Sequence, residues 1–179
     1  MVNILTPDLN EAQRFLDILE PDGEFWFQTA EEPKPDDRRA NAHVLHGTLS
    51  QVGAELVRLN RSGHAVWVQI NEGTGRTIAE ITRIRSYFVD QDKGHTELLL
   101  TSAVPCNIVI ESSHGKYHGY WLTKNAPLGQ FVDRMHALAD KFQGDHSICN
   151  LNRVMRLPGF FHLKGTPFMT RIHSVLEGA

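Results

Sequence analysis

Two carboxylates end a predicted strand near the middle of this chain. Residues 84–92 run from branched and aromatic side chains into Asp90 and Asp92, and Gly94 follows as a turn signal. Because side chains alternate along a strand, Asp90 and Asp92 project from the same face, roughly 6–7 Å apart. Carboxylates on one rigid edge are ligands for hard divalent cations such as Mg²⁺ or Mn²⁺. The alternative for this pattern alone is a polar strand end before a turn.

A third carboxylate, Asp145, follows the clearest helical pattern in the chain. Apolar residues recur at spacings of three and four from Leu128 to Phe142, and Gly144 marks the end of this predicted helix. Alone, Asp145 is a loop aspartate. Beside Asp90 and Asp92 it could complete a two-metal site, in which cations roughly 4 Å apart activate a 3′-hydroxyl and stabilise a leaving pyrophosphate.

A predicted hairpin supplies the candidate donors. Residues 106–112 and 116–122 are strand-like and are joined by a short polar turn that contains Ser113. Small residues in such a turn let the backbone approach an anion, and Lys116 and His118 add hydrogen-bond donors. A histidine on a strand can equally have a structural role.

Basic residues are concentrated in the last part of the chain. Arg153 and Arg156 stand three apart, so on a strand they point to opposite faces. Lys164 follows two phenylalanines, and this mixture of aromatic and basic residues suits nucleic acid, although the phenylalanines can also belong to the core. The acidic residues are more numerous in the first half, so a phosphate-bearing partner would meet the C-terminal part.

The elements that would position these residues alternate between helix and strand. The pattern predicts a helix capped by Thr6 with Pro7 in its first position, a second helix over residues 45–59, and a loop over residues 31–42. The glycine-containing stretch 71–76 is a turn that could also hold a phosphate. Without regular strand–helix–strand repetition, the expected fold is α+β, with a mostly antiparallel sheet flanked by helices.

Composition limits the class of protein. The chain has 179 residues, 41% hydrophobic and 22% charged, which is ordinary for a globular domain. No apolar run reaches the ~20 residues that span a membrane, and the first residues do not form a secretory signal. The two cysteines are far apart, so no zinc ribbon is expected. We therefore expect one cytoplasmic domain over residues 1–179, without a membrane partner.

Together these motifs resemble the archaeo-eukaryotic primase superfamily, and more narrowly the RepB-type primase domain of plasmid and phage replication proteins, which include primase-polymerases. The resemblance covers roughly residues 70–175. Three motifs stand in the family's order: the strand that ends in Asp90 and Asp92, the small-residue turn before His118 and its aromatic strand, and Asp145 with the later stretch from Arg153 to Gly159.

The resemblance implies an RRM-like core and template-directed nucleotidyl transfer. Its implied metal ligands for Mg²⁺ or Mn²⁺ are Asp90, Asp92 and Asp145, with no zinc. The implied contacts to the incoming nucleotide are His118 with Ser113 and Lys116, and the candidates for phosphate or template contact are Arg153, Arg156 and Lys164. The implied partners are single-stranded DNA, nucleoside triphosphates and a fused or separate helicase or helical domain. The chain is then expected to be a catalytic domain excised from a longer replication protein.

Two other functions are open at this stage. One is a metal-dependent nicking endonuclease of the relaxase kind, although the spacing of His114 and His118 does not match the expected metal clamp. The other is a non-catalytic module that binds a replication origin, although all three carboxylates are present.

Overall fold

The computed structural model describes residues 5–32, 42–92 and 96–176. Its elements follow one another along the chain as α1 Leu9–Leu19, β1 Phe25–Glu31, β2 Ala42–Gly47, α2 Leu49–Arg61, β3 His64–Gln69, β4 Glu72–Gly73, β5 Ile81–Arg83, β6 Ser86–Gln91, α3 Thr96–Leu100, β7 Ile108–Ser113, β8 Lys116–Leu122, α4 Phe131–Phe142, β9 Val154–Arg156, β10 Phe161–His162, β11 Phe168–Met169 and β12 Arg171–Val175. The predicted α+β class is confirmed, and the paired strands whose registers are known run antiparallel.

The chain forms two compact units. The first contains Met1–Gln69 and Val154–Arg171, and the second contains Ile70–Arg153 and Ile172–Ala179. Each unit therefore combines two segments that are separate in sequence. The division does not test the expectation that residues 1–179 act as one catalytic domain, which stays a prediction.

The first unit is built on a four-stranded sheet in the order β2-β1-β3-β9. Helix α1 buries Phe15, Leu16 and Leu19. Its N-cap is Asp8, whose carboxylate accepts hydrogen bonds from the backbone N–H groups of Asn10 and Glu11. The prediction that Thr6 caps this helix and that Pro7 begins it is therefore wrong by two residues.

The second predicted helix starts later than the apolar spacing indicated. Leu45 lies on β2, opposite Phe27 of β1, and α2 begins only after Thr48. Gln51 accepts a hydrogen bond from the Thr48 N–H, which completes a capping box at this point. Leu45 matches the helical period by chance, because strand pairing with β1 determines its conformation. Residues 33–41 of the predicted loop lie outside the described residues.

The second unit contains a four-stranded sheet in the order β12-β7-β8-β6. The predicted hairpin is confirmed as β7 and β8, and β6 pairs with β8 over the whole of its length. Helix α4 packs on this sheet through Phe131, Met135 and Phe142, which are all buried. It begins at Phe131, after a 3-10 turn over Leu128–Gln130, which is later than the helical pattern predicted.

The remaining strands are short. Strands β10 and β11 pair with each other, as do β4 and β5. Both cysteines, Cys106 and Cys149, are buried free thiols. In the described part of the chain, no helix has the length and apolar character needed to cross a membrane.

Candidate active site

The centre of the candidate site is one rung of the ladder between β6 and β8. Asp90 lies directly opposite His118, and its Oδ1 atom is 3.5 Å from His118 Nε2. The His118 side chain is 5% exposed and that of Asp90 is 22% exposed. Because directly opposed residues of antiparallel strands share a face, this contact follows from the register of the two strands.

The other ring nitrogen of His118 faces a buried phenol. His118 Nδ1 is 3.2 Å from the Tyr120 hydroxyl, and Tyr120 is fully buried. Burial raises the pKa of Tyr120 well above its ordinary value, and the nearby Asp90 charge adds to this effect. The Tyr120 hydroxyl therefore stays protonated, and His118 is held between a carboxylate on one side and a neutral phenol on the other.

The end of α4 brings Asp145 to the same rung. Gln143 closes the helix in the left-handed conformation, with φ of 54°. Gly144 then passes so close to β6 that an added Cβ would lie 2.5 Å from a methyl carbon of Val89. This close approach lets the Asp145 N–H donate to the Asp90 carbonyl oxygen at 3.0 Å. Asp145 and Asp90, separated by 55 positions in sequence, are thus joined through their backbones.

The Asp145 side chain is occupied by its own loop. One carboxylate oxygen accepts the Ser147 N–H at 2.8 Å, and the other is 2.6 Å from the Ser147 hydroxyl oxygen. The hydrogen bond from the Ser147 hydroxyl is the main reason why the pKa of Asp145 is lowered, and the charges of Arg153 and His146 also lower it. Asp145 is therefore an anion that begins the 3-10 turn over His146–Ile148.

Asp92 and Lys116 form an ion pair at the exposed end of the sheet. Lys116 Nζ is 2.9 Å from Asp92 Oδ1, and both side chains are about half exposed. Ser113 lies opposite Lys116 across the hairpin turn, and His114 in that turn is exposed. Of the two histidines considered from the sequence, His118 is the one that the structure places against Asp90.

Asp90 is the electrostatically strained member of this group. Burial raises the pKa of Asp90, and the charges of Asp92 and Asp145 raise it further against the opposing charges of His118 and Lys116. Its Oδ1 atom is buried and, within the part of the chain that the structure describes, accepts no hydrogen bond; the nearby His118 Nε2 is 3.5 Å away. A buried carboxylate oxygen without a donor is unfavourable unless a cation or proton compensates it.

The ligand types and the negative charge of this group suit a hard divalent cation. Three carboxylates offer the oxygen ligands that such ions take, and a cation would relieve the repulsion at Asp90. Among the described residues, however, no three histidine, cysteine or acidic side chains converge as metal ligands. Asp92 is turned toward Lys116 and Asp145 toward Ser147, so the carboxylates are neighbours that do not yet share one point.

Arg153 belongs to the same unit as these carboxylates and supports the Asp145 turn. Its guanidinium donates to the backbone oxygens of Ser147 and Ile148. Its charge also lowers the pKa of Asp145. The structure therefore places Arg153 beside the third carboxylate, which the spacing in the sequence did not indicate.

Arg156 and Lys164 lie in the first unit. Arg156 forms a bidentate ion pair with Glu32, at 2.6 and 3.2 Å, and its guanidinium lies over the Trp67 ring at 5.3 Å. Both charged side chains are largely buried. Lys164 is exposed. The role of these two residues in nucleotide binding stays a prediction.

Three polar residues, two on α4 and one in the 3-10 turn that follows Asp145, were not identified from the sequence. His136 Nδ1 is 2.9 Å from His146 Nδ1, and His146 Nε2 is 3.1 Å from Asp140 Oδ1. His136 and Asp140 are four apart on α4, a spacing that places side chains on one helix face. That spacing was visible in the sequence, but nothing in it indicated that His146 would join the pair.

The glycine-containing stretch 71–76 encloses an internal carboxylate. Glu80 accepts hydrogen bonds from the Thr77 N–H and hydroxyl, at 2.8 and 2.7 Å. An added Cβ on Gly75 would overlap the Glu80 carboxyl group. The Glu80 carboxyl group thus fills the space beside Gly75.

The family model described as the RepB DNA-primase N-terminal domain matches residues 83–174. This match covers more than half of the chain and includes all the motifs of the second unit, so the chain belongs to the RepB primase family. Primase is therefore the class of protein that the family and the fold define, and DNA replication is its process. No curated protein matches the chain.

Solved structures show the same fold. The primase-polymerase (PrimPol) AEP domain of cyanophage S-2L aligns with a TM-score of 0.78 at 19% identity, over 96% of this chain and 92% of that one. Primase RepB′ aligns with a TM-score of 0.71 at 17% identity, over 93% of this chain and 56% of that one. The catalytic domain of RepB′ in complex with initiator DNA aligns with a TM-score of 0.67 at 15% identity, over 92% and 85%. The chain thus spans a little over half of the longer RepB′ structure.

Proposed function

We propose that this chain is the catalytic domain of a DNA primase or primase-polymerase, which makes or extends primers on single-stranded DNA by metal-dependent, template-directed nucleotidyl transfer. Family membership supports the class of reaction. The observation that carries the proposal is the juxtaposition of Asp90 with His118 and with the backbone of Asp145. These residues come from three separate segments, and the fold brings them to one end of one sheet.

In this proposal the three carboxylates, Asp90, Asp92 and Asp145, would hold Mg²⁺ or Mn²⁺. The bound cations would neutralise phosphate charge and activate the attacking 3′-hydroxyl. Phosphoryl transfer depends mainly on positioning and charge neutralisation, which suits a site made of carboxylates and fixed donors.

The remaining residues would bind the triphosphate of the incoming nucleotide. His118 is buried and its ring is oriented by the Tyr120 hydroxyl at Nδ1, so Nε2, which lies 3.5 Å from Asp90, would donate to a phosphate oxygen with little loss of side-chain entropy. Lys116 is half exposed and could exchange Asp92 for a phosphate oxygen, while Ser113 borders the same turn. Arg153 would contribute to nucleotide binding indirectly, because its guanidinium holds the turn that carries Asp145.

The proposed partners are single-stranded DNA, nucleoside triphosphates and a helicase or helical domain. One structural neighbour, the RepB′ catalytic domain, was solved in complex with initiator DNA, which supports a DNA partner for this chain. The net charge of this chain is −3, so the chain as a whole does not attract the DNA phosphates. A helicase or helical domain, fused or separate, would supply additional affinity for the template.

Primer synthesis on circular single-stranded DNA tests this proposal. We expect labelled products with nucleotides and Mg²⁺ or Mn²⁺ from the parent chain and from Asp133→Ala, an exposed control on α4. We expect none from Asp90→Ala, whose fold is checked by circular dichroism. Cleavage of the circle without nucleotides would instead indicate a nicking endonuclease. Origin binding with no transfer by a folded parent chain would indicate a non-catalytic module.

A further inference from the structure

A groove runs between α4 and the sheet of the second unit. Its volume is about 360 Å³, and its lining is largely apolar. The lining residues are Tyr87, Trp121, Arg134, Ala137, Leu138 and Lys141. Tyr87 and Trp121 are directly opposed on β6 and β8, and each is three positions along its strand from Asp90 or His118. Because side chains alternate across a sheet, this groove, which we call the α4 groove, lies on the face opposite the candidate active site.

The aromatic residues of the α4 groove are already packed by their neighbours. Trp121 packs on Phe142 with ring centroids 4.9 Å apart, and its indole N–H donates to the Val104 carbonyl oxygen. Tyr87 stacks on Phe131 at 5.5 Å. Since these contacts use the ring faces and the indole donor, the groove has little to offer a stacked nucleobase. It is better suited to receive an apolar side chain.

Two cations lie at the rim of the α4 groove. In the part of the chain that the structure describes, neither Arg134 nor Lys141 forms an ion pair. Arg134 donates to Gln130 and lies 5.8 Å from the Tyr87 ring centre, while Lys141 lies over the Phe142 ring at 5.5 Å. Both side chains are exposed. An apolar surface flanked by unpaired cations is complementary to an acidic, apolar ligand.

The spacing of the cations defines the ligand further. Arg134 and Lys141 are seven residues apart on one helix, which corresponds to about 10 Å along its axis. A peptide in the polyproline II conformation rises about 3.1 Å per residue with three residues per turn, so its residues i and i+3 lie about 9 Å apart on one face. Acidic residues at positions i and i+3, with a large apolar residue between them, would therefore match both the cations and the apolar floor at Ala137 and Leu138.

We propose that the α4 groove is a docking site for a short peptide segment of a partner protein, with two acidic residues three positions apart and a large apolar side chain between them. The apolar side chain inserts over Leu138, and the two carboxylates pair with Arg134 and Lys141. Binding is expected to be weak, on the order of 10 µM, because such a segment buries less than the roughly 1,200 Å² of a stable interface.

A charge-swap experiment tests this site. The probe is a fluorescein-labelled eight-residue peptide, Gly-Ser-Glu-Phe-Leu-Glu-Ser-Gly, and the measurement is fluorescence anisotropy at low salt. We expect Arg134→Glu/Lys141→Glu to weaken binding at least tenfold and Lys124→Glu, an exposed lysine outside the groove, to leave it unchanged. The reversed peptide, with Lys in place of both Glu residues, should bind the double variant and not the parent chain.

Primer synthesis by the double variant should equal that of the parent chain, because neither residue belongs to the candidate active site. This readout separates loss of docking from loss of the proposed activity or of the fold. Absence of peptide binding to the parent chain, or equal binding to parent and double variant, would overturn the proposal. So would a result in which the double variant loses affinity for oligo-dT while peptide affinity is unchanged, since the α4 groove would then be a nucleic-acid surface.

Discussion

At the scale of single residues, Asp90 is the group of the candidate site whose charged form is least favourable. Burial and two neighbouring carboxylates raise its pKa, and one of its oxygens accepts no hydrogen bond from any described residue. Such an arrangement is unfavourable for folding and favourable for binding a cation. Functional residues of this kind commonly reduce the stability of the fold that carries them.

We therefore expect Asp90→Asn to be at least as stable as the parent chain at neutral pH. The folded state holds the Asp90 proton more tightly than the unfolded state, so the stability linked to that proton is present at low pH and lost as pH rises through the raised pKa. Urea unfolding from pH 4 to pH 8 should show that the free energy of unfolding of the variant increases relative to that of the parent chain as pH rises. A variant that is less stable than the parent at pH 7 would contradict the assignment of Asp90 as a strained carboxylate.

A cation should stabilise the parent chain selectively. A ligand that binds only the folded state raises the melting temperature with its concentration. We expect Mn²⁺ to raise the melting temperature of the parent chain and of Asp133→Ala, and to have little effect on Asp90→Asn. Equal shifts for all three chains would show that Mn²⁺ binds elsewhere.

Tyr120 is expected to act through His118 as a positioning residue. Tyr120→Phe removes the hydroxyl that faces His118 Nδ1 and keeps the buried ring. Loss of one hydrogen bond costs about 1 kcal/mol, so we expect a several-fold loss of transfer, mainly as a higher KM for the nucleotide. Tyr117→Phe is the matched control, because Tyr117 is on the same strand and its ring contacts His173. Equal losses in both variants would indicate a general effect on the hairpin.

At the scale of elements, the site depends on how strands β6 and β8 and the end of α4 meet. Residue alternation along β6 and the hairpin of β7 and β8 were predictable, because both depend on local patterns of two-residue period and turn chemistry. The rung that joins Asp90 to His118 was not, because register between strands that are distant in sequence is determined by packing. The same reason explains Leu45, whose spacing matched a helix while pairing with β1 made it part of a strand.

Substitution of Gly159 tests whether the motif from Arg153 to Gly159 contributes to the stability of the fold. The φ of Gly159 is 82°, and an added Cβ would overlap the carbonyl oxygen of Asp8. We expect Gly159→Ala to destabilise the chain by about 3 kcal/mol or more, because backbone strain and a steric clash combine. Gly165→Ala has a similar φ of 83° with open space around it, so it should cost only about 1 kcal/mol. Chemical unfolding measures both, and equal values would contradict the role of the contact with Asp8.

At the scale of the whole molecule, the first unit depends on contacts between its two segments, which are distant in sequence. Arg156 of β9 pairs with Glu32, which also accepts the Leu163 N–H at 2.9 Å. Burial alone would raise the pKa of Glu32, but the hydrogen bond and charge of Arg156 outweigh it and the pKa is lowered. The family resemblance implied Arg156 as a candidate for phosphate or template contact, while its partner carboxylate, 124 positions away, was not identified from the sequence.

We expect Arg156→Met to destabilise the chain by about 3 kcal/mol, since it leaves Glu32 charged and partly buried without its partner. Arg58→Met breaks an exposed pair with Glu55 and should leave the stability almost unchanged. The Arg156 effect should diminish as pH falls and Glu32 becomes protonated. Similar small effects in both variants would show that the Glu32 pair contributes no more than a surface pair.

The most direct measurement for the central proposal is incorporation of a single nucleotide opposite a defined template base. Four primed single-stranded templates that differ only in that base would be offered an equal mixture of the four nucleotides with Mn²⁺, and the product would be identified by mass. We predict that the added nucleotide is the complement of the template base in each case, and that Asp90→Ala adds none. Addition of the same nucleotide on all four templates, or none by a folded parent chain, would contradict template-directed transfer by this domain.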